Sequence, residues 1–373
     1  MKLKFDKKMK IIAIFGALFL VILTLLLLIF NAGKKSYMVY FDLDGGTLLS
    51  GSVEQEVFHG QNAIPPKTVK DNAYFHSWSR SYERITKDVV IRAIWEYETT
   101  PGITYTDDEH QNFAEIERGY PYLQGEIYLG GYHDEKKVLG IREHAFYGCT
   151  GITKVYMLDG LLSIGNSAFE SCTALSEIEI PETVVHLGDG VFKNCEKLET
   201  LVLNEGLLKI GAEAFFGCKS LTEMEIPQTV TSLGSGAFRG CELLEKITIY
   251  EGIEEISEGT FLGCKSLKSI EIPESVTKIG EGAFRGCKAL ETVILPEGLQ
   301  SIDTNAFEGC TNLKTIILPQ SLVNIAADAF AGCDNLQIFT NILEKDTPAG
   351  WKFGWNGSAT SIWLPDDDEE TLG

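Results

Sequence analysis

Residues 172–194 read CTALSEIEIPETVVHLGDGVFKN, and residues 241–263 read CELLEKITIYEGIEEISEGTFLG. The two stretches share one apolar template: Leu175, Ile178, Ile180, Val184, Leu187, Val191 and Phe192 are answered by Leu244, Ile247, Ile249, Ile253, Ile256 and Phe261. Cysteine opens each stretch. The chain's nine cysteines, Cys149, Cys172, Cys195, Cys218, Cys241, Cys264, Cys287, Cys310 and Cys333, follow one another every 23 residues. A period in the twenties is the signature of stacked repeats. Within each repeat the Ile178-Glu179-Ile180 alternation predicts a half-buried strand. The V-x-x-L and A-F-x-G-C segments after it predict a turn and a short helical or 3₁₀ return.

One such coil cannot fold alone, because its few inward side chains do not offset the cost of ordering the segment. Stacking shares strand hydrogen bonds and buries the apolar faces between neighbours. Val138, Ile141, Ala145 and Phe146 form a half-copy before the first cysteine, and residues 334–364 drop the pattern while gaining Trp351, Trp355 and Trp363. Pro181, Pro227, Pro273, Pro296 and Pro319 end strands, whereas Asn204 and Tyr250 stand in two equivalent places. Three residues after each strand, Gly160, Thr183, Gly206, Thr229, Gly252, Ser275, Gly298 and Ser321 alternate, so the repeating unit is two coils, 46 residues long. Gly reaches a positive φ that Thr and Ser disfavour, so alternate turns are expected to differ in shape.

The template L-x-x-I-x-I-P-x-x-V-x-x-I-G-x-x-A-F-x-G-C resembles the BspA-like leucine-rich repeats of bacterial surface proteins. The resemblance implies a right-handed solenoid with a parallel sheet on one face: eight rungs over 149–332, an N-terminal capping half-repeat over 126–148, and a C-terminal cap over 333–364. An acidic tail, 365–373, follows. The cysteines then read as small buried side chains in a ladder. Parallel Cβ vectors disfavour disulfides between rungs, and a straight row does not converge on a tetrahedral metal.

The N-terminus carries Lys2, Lys4, Lys7, Lys8 and Lys10 in residues 1–10, then an uncharged run over residues 11–30. Twenty apolar residues are long enough to span a bilayer. The lysine bias places the N-terminus in the cytoplasm and the rest outside. The segment reads as an uncleaved signal anchor, with a cleaved signal as the alternative. Residues 36–96 contain two strand-like runs, Tyr37 to Phe41 and Val89 to Trp95, and an Asp44-Gly45-Gly46 turn. Phe41, Gly45, Gly46, Val57, Gly60, Pro65, Phe75, Trp78, Ile85, Thr86, Val89, Ala93 and Trp95 resemble an internalin B-type, β-grasp-like repeat, although Ala73 and Ser77 depart from its usual residues. The resemblance implies a spacer. Residues 97–125 mix Thr, Pro, Gly and acidic residues and read as a linker, with the acidic cluster at 107–110 a solvated hinge rather than a metal site.

A net charge of −21 makes nucleic acid and anionic membrane surfaces poor partners for the ectodomain. Asp159, Glu182, Glu205, Glu251, Glu274 and Glu297 recur at one offset and are expected to be solvated. The chain has no P-loop, dinucleotide fingerprint, zinc-protease motif or serine elbow, and its six histidines are scattered. No enzymatic activity and no cofactor are expected. Outward positions on the strands, expected on the concave face, are Tyr156, Glu179, Val202, Glu225, Thr248, Glu271, Ile294 and Ile317. An acidic band running into apolar residues suits a protein or peptide ligand, though outward Val and Ile also serve strand propensity. By resemblance, the chain is a membrane-anchored surface protein that mediates adhesion to host or neighbouring-cell components. An envelope scaffold without catalytic activity is the alternative.

Overall fold

The computed structural model describes residues 35–362 apart from 70–72, 98, 107–111, 135, 158–159, 341 and 343–345. The expected membrane segment at 11–30, the cluster at 107–110, Asp159, Trp363 and the acidic tail lie outside the described residues. Among the described residues, no helix is long and apolar enough to cross a membrane. The chain divides into two compact units, Met1–Glu96 and Tyr97–Gly373.

In the first unit, Ser36–Asp42 pairs antiparallel with Glu54–Phe58 and parallel with Val89–Tyr97, and Ala73–Trp78 completes a four-stranded sheet. A second, antiparallel pair joins Thr47–Ser50 to Lys67–Val69. The core is small: Val39, Phe41, Val57, Ala63, Ile85 and Ile91, with Trp78 edge-on to Phe41 at 4.9 Å. Asp44 and Gly45 both take positive φ in the turn, a conformation that Asp and Gly tolerate.

The second unit is a parallel β-solenoid. Each rung contributes two strands rather than the single one expected, because the V-x-x-L segment is itself extended. Ile178 points inward between exposed Glu177 and Glu179, and Leu187 points inward beside exposed His186. The first ladder runs from Gln124–Leu129 through Gly151–Met157, Glu177–Glu179 and Thr200–Val202, then Glu223–Glu225 with Lys246–Thr248, and finally Ser269–Glu271 to Thr360–Ile362. The second runs from Ile103–Tyr105 to Ser232–Leu233 and resumes from Glu255–Ile256 to Gly350–Trp351.

The expected helical return is a hydrogen-bonded turn. Two residues per return, such as Glu213 and Gly217 or Asn305 and Gly309, sit at positive φ, which breaks any helical run. The backbone bonds alternate between the segment itself, as in Tyr147 N–H to the His144 carbonyl, and the next rung: Phe146, Phe169 and Phe192 donate their N–H to the carbonyls of Ala168, Val191 and Ala214 at 2.7–2.8 Å.

The linker expected at 97–125 is mostly part of the solenoid. Ile103–Tyr105 pairs with Phe113–Gly119, which lies parallel to Lys136–Ile141, and Ala114 and Ile116 are fully buried in the main core. Thr100 closes the edge of the first ladder, donating its N–H to the Tyr128 carbonyl and accepting the Tyr128 N–H on Oγ1 at 2.8 Å. The cap therefore begins well before residue 126. It lacks the 23-residue template because it must close the stack rather than extend it.

Two side-chain ladders run through the core. Phe146, Phe169, Phe192, Phe215, Phe238, Phe261, Phe284, Phe307 and Phe330 stack with centroids 5.0–5.9 Å apart. The stack ends edge-on against Trp355, beside Trp351, whose indole N–H donates to the Leu322 carbonyl at 3.2 Å. All nine cysteines are buried and unbridged. From Cys172 onward, each thiol donates to the carbonyl of the phenylalanine one rung back, at 3.1–3.2 Å. That carbonyl also accepts an N–H within its own rung: Phe238 O receives both the Cys241 N–H and the Cys264 thiol. Cys149 has no such phenylalanine before it and faces the carbonyls of Gly119 and Tyr120 at longer range.

The 46-residue unit has a structural basis. From a Thr/Ser rung to the next Gly rung, the first ladder pairs three residues. From a Gly rung to the next Thr/Ser rung it pairs two, one or none. At those weaker seams the hydroxyls of Thr183, Thr229, Ser275 and Ser321 donate to the carbonyls of Leu161, Leu207, Ile253 and Leu299 at 2.6–2.8 Å. Gly160 and Gly252 take positive φ, but Gly206 does not. Gly206 is needed for space, since a Cβ there would run into the Glu182 carbonyl.

Thr229→Val removes one seam hydroxyl and leaves the Leu207 carbonyl short of a donor, so it should cost about 1–2 kcal/mol in a urea melt. Thr292→Val, on an exposed strand position, should stay within about 0.5 kcal/mol. Equal effects would show that the seam hydroxyls carry no load.

Burial pushes the thiols of Cys195, Cys241 and Cys287 up from about 9 to about 12. Above pH 9 the unfolded chain loses thiol protons that the folded chain keeps, so stability falls as pH rises from 9 toward 12. Each buried thiol contributes about 1.4 kcal/mol per pH unit in that window. The melting temperature should therefore drop steeply above pH 9, and native-state thiol labelling at pH 8 should be slow at these positions; a flat melting temperature from pH 8 to 11 would contradict this.

Candidate functional site

The first ladder places one outward side chain per rung in a row, because strand alternation sends Ile178 in and Glu179 out, and parallel register then repeats the choice. Cross-strand pairs set Tyr156 beside Tyr128, Glu179 beside Val202, Glu225 beside Thr248, and Glu271 beside Ile294. Ile317 pairs with Phe339, which pairs with Ile362. Ile294 and Ile317 are 55% and 61% exposed, Val202 41%, and Ile362 38%. Glu179, Glu225 and Glu271 are also exposed, while Tyr156 and Thr248 are half-buried.

The row changes character along its length. At the N-terminal end the Tyr128 and Tyr156 rings stack at 4.6 Å, and both hydroxyls donate to the Glu126 carboxylate at 3.2–3.3 Å. Lys154 lies over the Tyr156 ring and pairs with Glu177 at 3.0 Å. Burial pulls its ammonium down, but the bonds to Glu177 and Tyr156 override this and hold it above its usual value. In the middle, carboxylates alternate with neutral residues, and Tyr250 donates its hydroxyl to Glu225, which raises the phenol. The C-terminal end is apolar: Ile294, Ile317, Phe339 and Ile362.

The eight positions read from the sequence therefore fall on one face. Tyr128, Phe339 and Ile362 belong to the same row but escape the periodicity, since 28 residues separate Tyr128 from Tyr156 and 22 separate Ile317 from Phe339. Period-two alternation inside Gln124–Leu129 and Gln337–Thr340 was the available signal.

The acidic ladder beside the turns is more than solvated surface. Glu251 accepts the backbone N–H groups of Glu274 and Ser275 from the next rung at 3.1 and 2.9 Å, which hold its carboxyl below the usual range. Rung-to-rung ion pairs such as Lys268–Glu245, Lys314–Glu291 and Arg285–Glu308 line the exterior. The two lysine pairs are exposed and contribute little by themselves. A cavity of about 350 Å³ opens over the returns, where Gly236, Gly259 and Gly282 leave space beside Arg239, Leu262 and Arg285. Among the described residues, no group of three His, Cys, Asp or Glu side chains is placed to hold a metal ion.

What the arrangement offers is a display surface built from a repeated unit. The model of the BspA type leucine rich repeat region matches residues 139–268 and 234–345, in six copies. Among solved structures, the chain is similar to a leucine-rich repeat protein from Bacteroides ovatus at 29% identity, covering 72% of this chain and 71% of that one with a TM-score of 0.62. It is also similar to the T. pallidum leucine rich repeat protein TpLRR at 30% identity, covering 52% of this chain and 91% of that one with a TM-score of 0.48. Comparison with the curated proteins finds no match. The family matches together span more than half of the sequence, and their repeats are the rungs described above: the chain belongs to the BspA-type leucine-rich repeat family.

Proposed function

We propose that this protein is displayed outside the cell from a membrane anchor at residues 11–30 and binds a protein partner through the outward face of its first ladder, mediating adhesion to host or neighbouring-cell components. Leucine-rich repeat solenoids typically mediate protein–protein interaction, and one observation carries the choice of face: the unbroken run of outward apolar side chains ending in Ile294, Ile317, Phe339 and Ile362 beside exposed carboxylates. Apolar side chains grouped beside polar ones on an exposed face are what partner surfaces present. The five lysines before residue 11 and the uncharged run after them support the anchor. Residues 36–96, which resemble an internalin B-type repeat, would then lift the solenoid from the membrane.

The full chain, purified in detergent and immobilised, should retain host-matrix or neighbouring-cell proteins. Retention of the organism's own envelope proteins alone would instead assign an assembly role. Replacing Glu225, Glu271 and Ile294 together, by Gln, Gln and Ser, should weaken the captured complex about tenfold or more while leaving the melting temperature nearly unchanged. Undiminished binding by that variant would move the contact off this face.

A further inference from the structure

The geometry points to a polarised ligand: a polypeptide segment whose cationic stretch lies over Glu179, Glu225 and Glu271 and whose apolar stretch lies over Ile294, Ile317, Phe339 and Ile362. This rests on the reading that the face binds protein, and it names what that protein presents.

The first step is the order of side chains along the axis. Carboxylates stand on alternate rungs (Glu179, Glu225, Glu271), and after Glu271 the row is Ile294, Ile317, Phe339 and Ile362. The flanking outward row adds Glu177 and Glu223 to the same half, against Lys154 and Lys246, and is neutral in the other half with Ser269, Thr292 and Thr315. The central row thus carries its carboxylates in one half, with Val202 between two of them, and is wholly apolar in the other.

The second step is spacing. Parallel strands lie about 4.8 Å apart, so alternate-rung carboxylates repeat every ~9.6 Å. A polyproline II segment turns once and advances about 9.3 Å in three residues, so every third side chain returns to one face, whereas seven residues of helix advance about 10.5 Å. A polyproline II segment with a basic residue at every third position therefore stays within ~0.3 Å of the glutamate repeat at each contact. A helix drifts by ~0.9 Å at each contact. The row from Glu179 to Ile362 spans eight rung steps, about 38 Å, the length of roughly a dozen extended residues.

The third step is charge. With a net charge of −21, two copies of this chain repel; a parallel face-to-face pair would set carboxylate rows against each other, and an antiparallel one would bury each carboxylate row on the other's apolar end. A second copy is therefore a poor occupant, and a cationic segment from another protein is a good one.

The probe is a fluorescent peptide with lysine at every third position of its first half and leucine at alternate positions of its second half, titrated against the full chain by anisotropy. A peptide of the same composition with the two residue types interleaved, and one with lysines only, serve as controls. The split peptide should bind at least ~10-fold more tightly than either control. Glu179→Gln, Glu225→Gln and Glu271→Gln combined should weaken it about tenfold at low salt and remove most of its salt dependence. Ile294→Ser with Ile317→Ser should weaken it to a similar degree, about tenfold, with the salt dependence kept. Equal binding by either control, or indifference to either set of substitutions, overturns the inference. So does a dimer in sedimentation that Ile294→Ser with Ile317→Ser dissolves, because a second copy would then cover the apolar end. If a captured natural partner responds to the face substitutions while no peptide binds, only the polarised ligand falls; if that partner ignores them, the binding face itself is wrong.

Discussion

From Cys172 to Cys333 the rungs of the solenoid are held by the same small contact: a cysteine thiol reaching back to the phenylalanine carbonyl of the rung before. Phe238 O, for example, takes an N–H from Cys241 and the thiol of Cys264, so both of its lone pairs are used. A buried carbonyl left half-satisfied would be costly, and the side chain that completes it must be short, a donor, and otherwise apolar. Cysteine meets all three conditions. Alanine fills much of the space but donates nothing, and serine donates at the cost of burying a more polar oxygen. The contact works only if successive rungs are in register, and the phenylalanine stack beside it, at 5.0–5.9 Å, is satisfied by that same register. A shift of one residue would break both ladders together.

This dependence explains what could be read from the residues alone. A period shared by thiol, phenyl ring and strand is legible because a single geometric repeat drives all three, so Cys149 to Cys333 announce the stack and its buried face. Positions such as Glu225 and Ile294 were legible by subtraction, as the outward partners of Met224 and Val293. The second strand was not, because His186–Leu187 and Lys209–Ile210 are two residues long and carry no alternation of their own. The returns were misread for a different reason. Glu213, Asn305 and Asp328 take the left-handed conformation in places where other rungs use glycine, so the segment closes as single turns whose remaining N–H groups bond to the next rung. The cap was missed because Ala114 and Ile116 bury themselves on a template that occurs once.

Alternation of Gly and Thr/Ser rungs gives the stack a second layer of order. Full strand pairing at one seam and a hydroxyl bridge at the next mean that each seam is closed by a different set of bonds. The first ladder loses its backbone pairing after the Asn204 rung and after the Tyr250 rung. At the first of these seams Thr229 bridges to Leu207, and at the second Ser275 bridges to Ile253. Asn204 strengthens its rung on the other side, donating its side-chain amide to the Ile180 carbonyl. Side-chain hydroxyls thus take over where the backbone ladder lapses, so the core remains continuous past the breaks.

Such a scaffold limits how recognition can be encoded. A pocket needs convergent walls, and parallel strands at constant spacing offer divergent, evenly spaced positions instead. Shape varies little from rung to rung, so the remaining variable is the identity of the outward residue, and information lies in the order of those identities along the axis. Here the order runs from the paired tyrosines through spaced carboxylates to an aliphatic end. Since the inward residues are held by the ladders, outward residues can change with little loss of stability. The face is therefore free to follow its ligand while the cysteines and phenylalanines behind it stay the same.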